Sequence, residues 1–97
     1  MLTPKQRSNL RGQASTLKPV MQLGKGGFSD NVIRQLEDHL FSHELVKIKV
    51  LKNAEYTAKE AMIYLGEATG AETVSCMGNI VTLYKFSEKE GITHITF

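Results

Sequence analysis

Two hydrophobic periods meet near the middle of the chain, and their meeting limits the fold more than any other feature. Val32, Leu36 and Leu40 recur at intervals of four with Ile33 beside them, the apolar stripe of an amphipathic helix. Just after Ser42-His43, the run Glu44 to Val50 changes period. Val46, Ile48 and Val50 alternate there with Leu45, Lys47 and Lys49, which is a strand with one apolar face and two lysines on the other. A helix that hands over directly to such a strand belongs in a layered α/β domain.

The flanking segments extend this pattern. Thr3-Pro4-Lys5-Gln6 reads as a helix start, with Thr3 as cap, Pro4 at the first helical position and Gln6 able to bond back to the cap. The helix is predicted over Pro4 to Ala14, with Leu10 and Ala14 for packing and Arg7 and Arg11 on one basic face. Leu17-Lys18-Pro19 breaks it, and Val20 to Leu23 reads as a short buried strand. Ser29 caps the striped helix, predicted to run to about Phe41. Asn53 is expected to cap a third helix over Ala54 to Thr69, closed by Gly70. Residues 72–77 and 80–86 read as strands joined by a Gly78-Asn79 hairpin turn. The predicted order is αβαβαββ, a single α/β domain over 1–97 with a four-stranded mixed sheet and packed helices. Residues 88–97 either fray or add an edge strand.

Composition narrows the class. At 97 residues and 41% hydrophobic content the chain closes one modest core, and a net charge of +2 is too small to hold it open. No uncharged run reaches the roughly 18 apolar residues that cross a bilayer, and the start lacks the apolar core of a secretory signal. The one cysteine, Cys76, excludes a disulfide framework and a thiolate zinc site and points to a reducing, cytoplasmic setting. The charge is unevenly placed. Residues 1–52 hold nine Lys or Arg against four Asp or Glu, whereas the remainder holds three against six. No acidic residue precedes Asp30, while five basic ones do, so a polyanion would meet this end first. Uneven charge without a partner is the plainer alternative.

Gly24-Lys25-Gly26-Gly27 is the most informative stretch. It joins a strand to a helix start, where free amides carry the positive end of the helix dipole. Without side chains, Gly24, Gly26 and Gly27 let a phosphate backbone approach, and Lys25 supplies charge. The loop fits neither the phosphate-cradling GxxxxGK[ST] spacing nor GxGxxG, but it satisfies GxxG, the spacing that clamps nucleic-acid backbones in KH-type modules. The same glycines would also serve a plain turn.

With Leu17-Lys18-Pro19, Gly24-Lys25-Gly26-Gly27-Phe28-Ser29, His43-Glu44-Leu45-Val46-Lys47-Ile48-Lys49, and Gly78-Asn79 followed by Leu83-Tyr84-Lys85, the chain resembles the CRM-domain family, in particular its YhbY-like bacterial group. The resemblance implies a fold similar to the C-terminal domain of translation initiation factor three. It also implies a non-enzymatic role in maturation of the large ribosomal subunit, with RNA held by the GxxG loop and neighbouring basic residues and without a cofactor. Ribosomal RNA in large-subunit precursors is the implied partner, and a monomer without small-molecule substrate or membrane contact is expected. Lys85 stands where many relatives carry Arg, and Glu88 and Glu90 make the tail less basic, which weakens any part for the tail in RNA contact.

The candidate RNA-binding residues are therefore Arg7, Arg11, Lys18, Gly24, Lys25, Gly26, Gly27, Lys47 and Lys49. Lys47 and Lys49 could equally be the solvated side of an amphipathic strand. His39 and His43 are four apart but lack a third ligand, and His43 is expected past the helix end. Phe28 is expected to anchor the loop, and Tyr56, Tyr64 and Tyr84 to pack rather than stack on bases. Cys76 reads as a small half-buried residue. Two other function classes compete: an enzyme acting on a phosphorylated small molecule through the glycine loop, and an adaptor that binds only protein. No carboxylate pair or nucleophile and base accompany the loop to support the first.

Overall fold

The structure, a computed structural model, describes residues 2–97. They form α1 (Pro4–Ala14), β1 (Met21–Leu23), α2 (Asp30–His43), β2 (Leu45–Val50), α3 (Ala58–Thr69), β3 (Glu72–Met77) and β4 (Ile80–Tyr84), in the predicted order. The strands make one mixed sheet ordered β1-β2-β4-β3, with β1 parallel to β2 and the other pairs antiparallel.

Alternation along β2 and β4 decides what each face buries. Val46, Ile48, Val50, Val81 and Leu83 face Leu36 and Leu40 of α2 and Ala61 and Leu65 of α3, forming the main core. On the opposite face Leu45, Val74 and Tyr84 are covered by Leu10 and Ala14 of α1, by Leu2, and by Ile95 and Phe97 from the tail. Further along this face Lys49 and Ile80 are only half-buried, and Met77 is 64% exposed. One half of the second face is therefore open.

Several boundaries differ from the sequence expectation, each for a local reason. Helix α3 starts at Ala58 rather than Ala54, because Thr57 and Glu60 make a reciprocal capping box: Thr57 Oγ1 accepts the Glu60 N–H and Glu60 Oε1 accepts the Thr57 N–H. Residues near Asn53 form a turn instead, with the Ala54 N–H donating to the Leu51 carbonyl. Helix α2 continues to His43. Val20 gives its N–H to the Lys47 carbonyl, but its side chain is exposed and β1 begins at Met21. Strand β4 ends at Tyr84, since the chain then turns to bring Ser87 to Glu44.

Glu44 was expected to open the strand and instead ends α2 with φ 64° and ψ −43°, the one described non-glycine residue at positive φ. Such a conformation is strained for a side chain with a Cβ. The residue is fully buried. Its carboxylate accepts the N–H of Ser87 at 2.8 Å and of Ile95 at 3.0 Å and meets His94 Nδ1 at 2.7 Å. Gln13 Nε2 also donates to the Thr96 carbonyl, and Phe97 packs edge-on against Tyr84 at 4.9 Å. The tail thus makes no edge strand and is fastened as an irregular segment.

Burial raises the Glu44 carboxyl, but the bonds from Ser87 and Ile95 and the His94 contact outweigh it and hold the group below the ordinary carboxylate range. Because the folded value lies below the unfolded one, this stabilisation is complete above about pH 5 and is lost as pH falls through the folded value. Glu44→Ala is expected to lower stability by about 3 kcal/mol, since it orphans buried N–H groups. Glu44→Gly should cost about 1 kcal/mol less, because glycine accepts the positive φ. Denaturant titrations across pH check both, and the gap between wild type and Glu44→Ala should narrow in acid.

Candidate nucleic-acid interface

Helix α1 has two unlike flanks. Gln13 marks the flank toward the tail through its bond to Thr96, and Arg11 lies about 160° of helical rotation away from it. Arg11 is exposed and has no hydrogen bond or ion pair among the described residues. Arg7, one turn earlier, is half-buried, and its Nε donates to the Thr73 carbonyl at 3.0 Å. One member of the predicted arginine pair therefore ties α1 to β3, and the other is free.

Lys47 Nζ donates to the Leu17 carbonyl at 3.2 Å, fixing the segment after α1 over β2. Lys18 and Lys47 share a cleft of about 440 Å³ with Leu17 and Val20. Lys49 follows on the same side of β2, half-buried, with no partner among the described residues.

The glycine loop emerges at the far end of β1, because parallel pairing sets Leu23 against Val50. A Cβ on Gly24 would stand 2.9 Å from Asn53 Oδ1 and 3.4 Å from Leu51 Cδ1, both side-chain ends, so this position is a close approach to side chains rather than to backbone. Gly26 and Gly27 have φ of 115° and 70°, with nothing within 4 Å of an added Cβ, so conformation alone demands glycine there and the space outside is open. The Gly27 N–H turns back toward the Gly24 carbonyl at 3.5 Å, while those of Lys25 and Gly26 have no partner among the described residues. Lys25 is exposed.

Phe28 anchors the loop, as expected: its ring lies 4.4 Å from Tyr56 and 4.3 Å from Tyr64. Tyr56 Oη also donates to the Gly24 carbonyl, and burial pushes its phenol above the ordinary value. Ser29 then caps α2 by accepting the Val32 N–H at 3.2 Å. Two residues that the sequence did not single out join this end. Exposed Lys52 follows Leu51, whose N–H donates to the Leu23 carbonyl, and Glu55 lines the loop's cleft beside Lys25 and Tyr56. The strand pairing that brings them here has no local sequence signal.

The candidates do not converge on one pocket. The loop lies at the β1 edge, Arg7 reaches the β3 edge three strands away, roughly 14 Å by strand spacing, and Lys18 precedes β1 at its opposite end. They form a broad, open surface. His39 and His43, both within α2, have rings 6.4 Å apart, and the described residues contain no group of three metal-ligating side chains.

Comparison with known proteins shows the family of the chain. Residues 2–85 match the CRS1 / YhbY (CRM) domain family. Bacillus subtilis YqeI, named as a probable RNA-binding protein, is 39% identical over 89 residues, covering 92% of this chain and 93% of its own. A Haemophilus influenzae protein named as RNA-binding is 35% identical over 91 residues, covering 94% and 92%. The solution structure of a Staphylococcus aureus protein described as a candidate RNA binder superposes with a TM-score of 0.78 at 40% identity, covering 93% of this chain and 94% of that one. The chain belongs to the CRS1 / YhbY (CRM) domain family.

Proposed function

We propose that this chain binds structured ribosomal RNA in precursors of the large subunit, as a cytoplasmic monomer and without enzymatic activity. The observation that carries this reading is the spread of its cations. Arg11, Lys18, Lys25 and Lys49 are distributed over a broad, open surface, beside a loop whose Gly26 and Gly27 leave room for a phosphate backbone. A phosphorylated small molecule would need such groups gathered in one pocket. A folded polyanion can span them. The names of the relatives support RNA as the ligand class, and the likeness to the YhbY-like group supports the ribosomal precursor as its source.

Lys25 and the amides of the loop contact phosphate, and the α1 flank with Lys49 extends that contact. Arg7 and Lys47 divide their role, because each already holds a backbone carbonyl. Such contacts set position and read no bases, so shape is preferred over sequence.

Two outcomes test this reading. Gly26→Ala and Gly27→Ala should each destabilise by about 1–2 kcal/mol through positive φ, yet leave a folded protein that binds a structured ribosomal fragment more weakly. A folded double variant with unchanged affinity contradicts the clamp. Second, Arg11→Ala, Lys18→Ala or Lys25→Ala should each reduce the slope of log affinity against log salt by roughly 0.7 to 0.9, whereas Lys59→Ala and Lys89→Ala should leave it unchanged. Fluorescence anisotropy measures both, and equal effects at Arg11 and Lys89 would put the surface elsewhere.

A further inference from the structure

At the pole opposite the glycine loop, two phenylalanines stand out of the surface: Phe41 is 51% and Phe86 58% exposed. Phe41 lies about 16 Å along α2 from its start at Asp30 beside the loop. The two rings border a cleft of about 480 Å³, whose charged residues are Glu37, Asp38, Glu88 and Lys85.

The cleft is held rigidly. Ser87 Oγ donates to the Phe41 carbonyl, and the Ser87 N–H is bound by the buried Glu44 carboxylate, so one hydrogen-bonded corner positions both phenylalanines. Phe86 is further stacked on His94, with centroids 4.4 Å apart and planes 16° from parallel. Little ordering would remain to be done on binding.

Its charge is one-sided. Lys85 Nζ donates to the Thr69 carbonyl at 2.7 Å, so the only cation of the cleft is drawn to the C-terminal end of α3. Glu37, Asp38 and Glu88 have no side-chain hydrogen bond or ion pair among the described residues, and Arg34, one turn before Asp38, pairs with none of the three acids of α2, Asp30, Glu37 and Asp38. Carboxylates repel a nucleic-acid backbone, while guanidinium groups bond to them and stack on aromatic faces. We propose that this cleft docks an extended, arginine-rich segment of a protein partner, with an apolar side chain between Phe41 and Phe86 and its cations on Glu37, Asp38 and Glu88. The surface is separate from the RNA face, so the two readings stand or fall independently.

The probe is a short fluorescent peptide of alternating arginine and leucine, compared with its glutamate and leucine counterpart. The 97-residue chain should bind only the basic peptide, with amide NMR shifts centred on residues 37–41 and 85–88. Glu37→Lys with Asp38→Lys should weaken binding about tenfold, and Phe86→Ala comparably, whereas Lys25→Ala should leave it unchanged. All these side chains are exposed, and a retained unfolding midpoint confirms that the variants fold. Four results would overturn the proposal: no binding of the basic peptide, equal binding of the acidic one, shifts centred elsewhere, or concentration-dependent self-association through these residues in place of peptide binding.

Discussion

The burial of Val46, Ile48 and Val50 of β2 against α2 and α3 is the contact on which the rest of the molecule depends. A strand has a period of two, so this burial also commits Leu45, Lys47 and Lys49 to the opposite face. Leu45 supplies the patch on which α1 settles, and the lysines keep the remaining half open to charge. A slip of one residue would turn both lysines into the core, so the register is strongly specified. The parallel pairing of β1 with this strand carries Gly24 to Gly27 to the Val50 end. The loop and the lysine face are therefore adjacent because of a hydrophobic contact that contains neither.

Glu44 does the corresponding work at the other end of β2. A strained, buried acid at the junction of α2 and β2 is retained because its carboxylate gathers three partners from residues 87–95. That corner fixes the tail against α1 and sets the two phenylalanines of the acidic cleft. Burial raises the neighbouring Tyr84 phenol and the Glu44 charge raises it further, as expected for a carboxylate that stays ionised in the fold. The molecule thus has the open glycine loop with Lys25 at one end and an acid-bearing cleft with exposed rings at the other, about one helix length apart. This polarity is not the simple division of the chain into a basic and an acidic half, because Glu37 and Asp38 belong to the basic half of the sequence.

What could be read from the sequence was what is encoded locally. Thr3 with Gln6, Ser29 before a striped helix, and Gly78-Asn79 between two β-rich runs each state their geometry within a few residues, and the structure follows them. The third helix was expected to start after Asn53, and its start at Ala58 instead follows from the Thr57 and Glu60 capping box, which satisfies two amides reciprocally. What stayed hidden needed tertiary contact. The bond from Arg7 to Thr73 joins residues 66 apart, the tail is held by an acid 50 residues away, and the close approach of Gly24 is to the side chain of Asn53. A positive φ at Glu44 has no sequence signature, since no glycine marks it. The candidate site was legible as a set of residue types, and its spread over two sheet edges was not.

The proposed RNA face bears the glycine loop and the lysines of the open half of the sheet. The most direct measurement is an NMR titration of the 97-residue chain with a structured fragment of large-subunit ribosomal RNA, following backbone amides at moderate salt. The largest shifts are expected at Gly24 to Gly27, with further shifts at Arg11, Lys18 and Lys49, and an undisturbed cleft at Phe41 and Phe86. Shifts centred on Lys59 and Ile63 of α3, with the glycine loop unmoved, would contradict it.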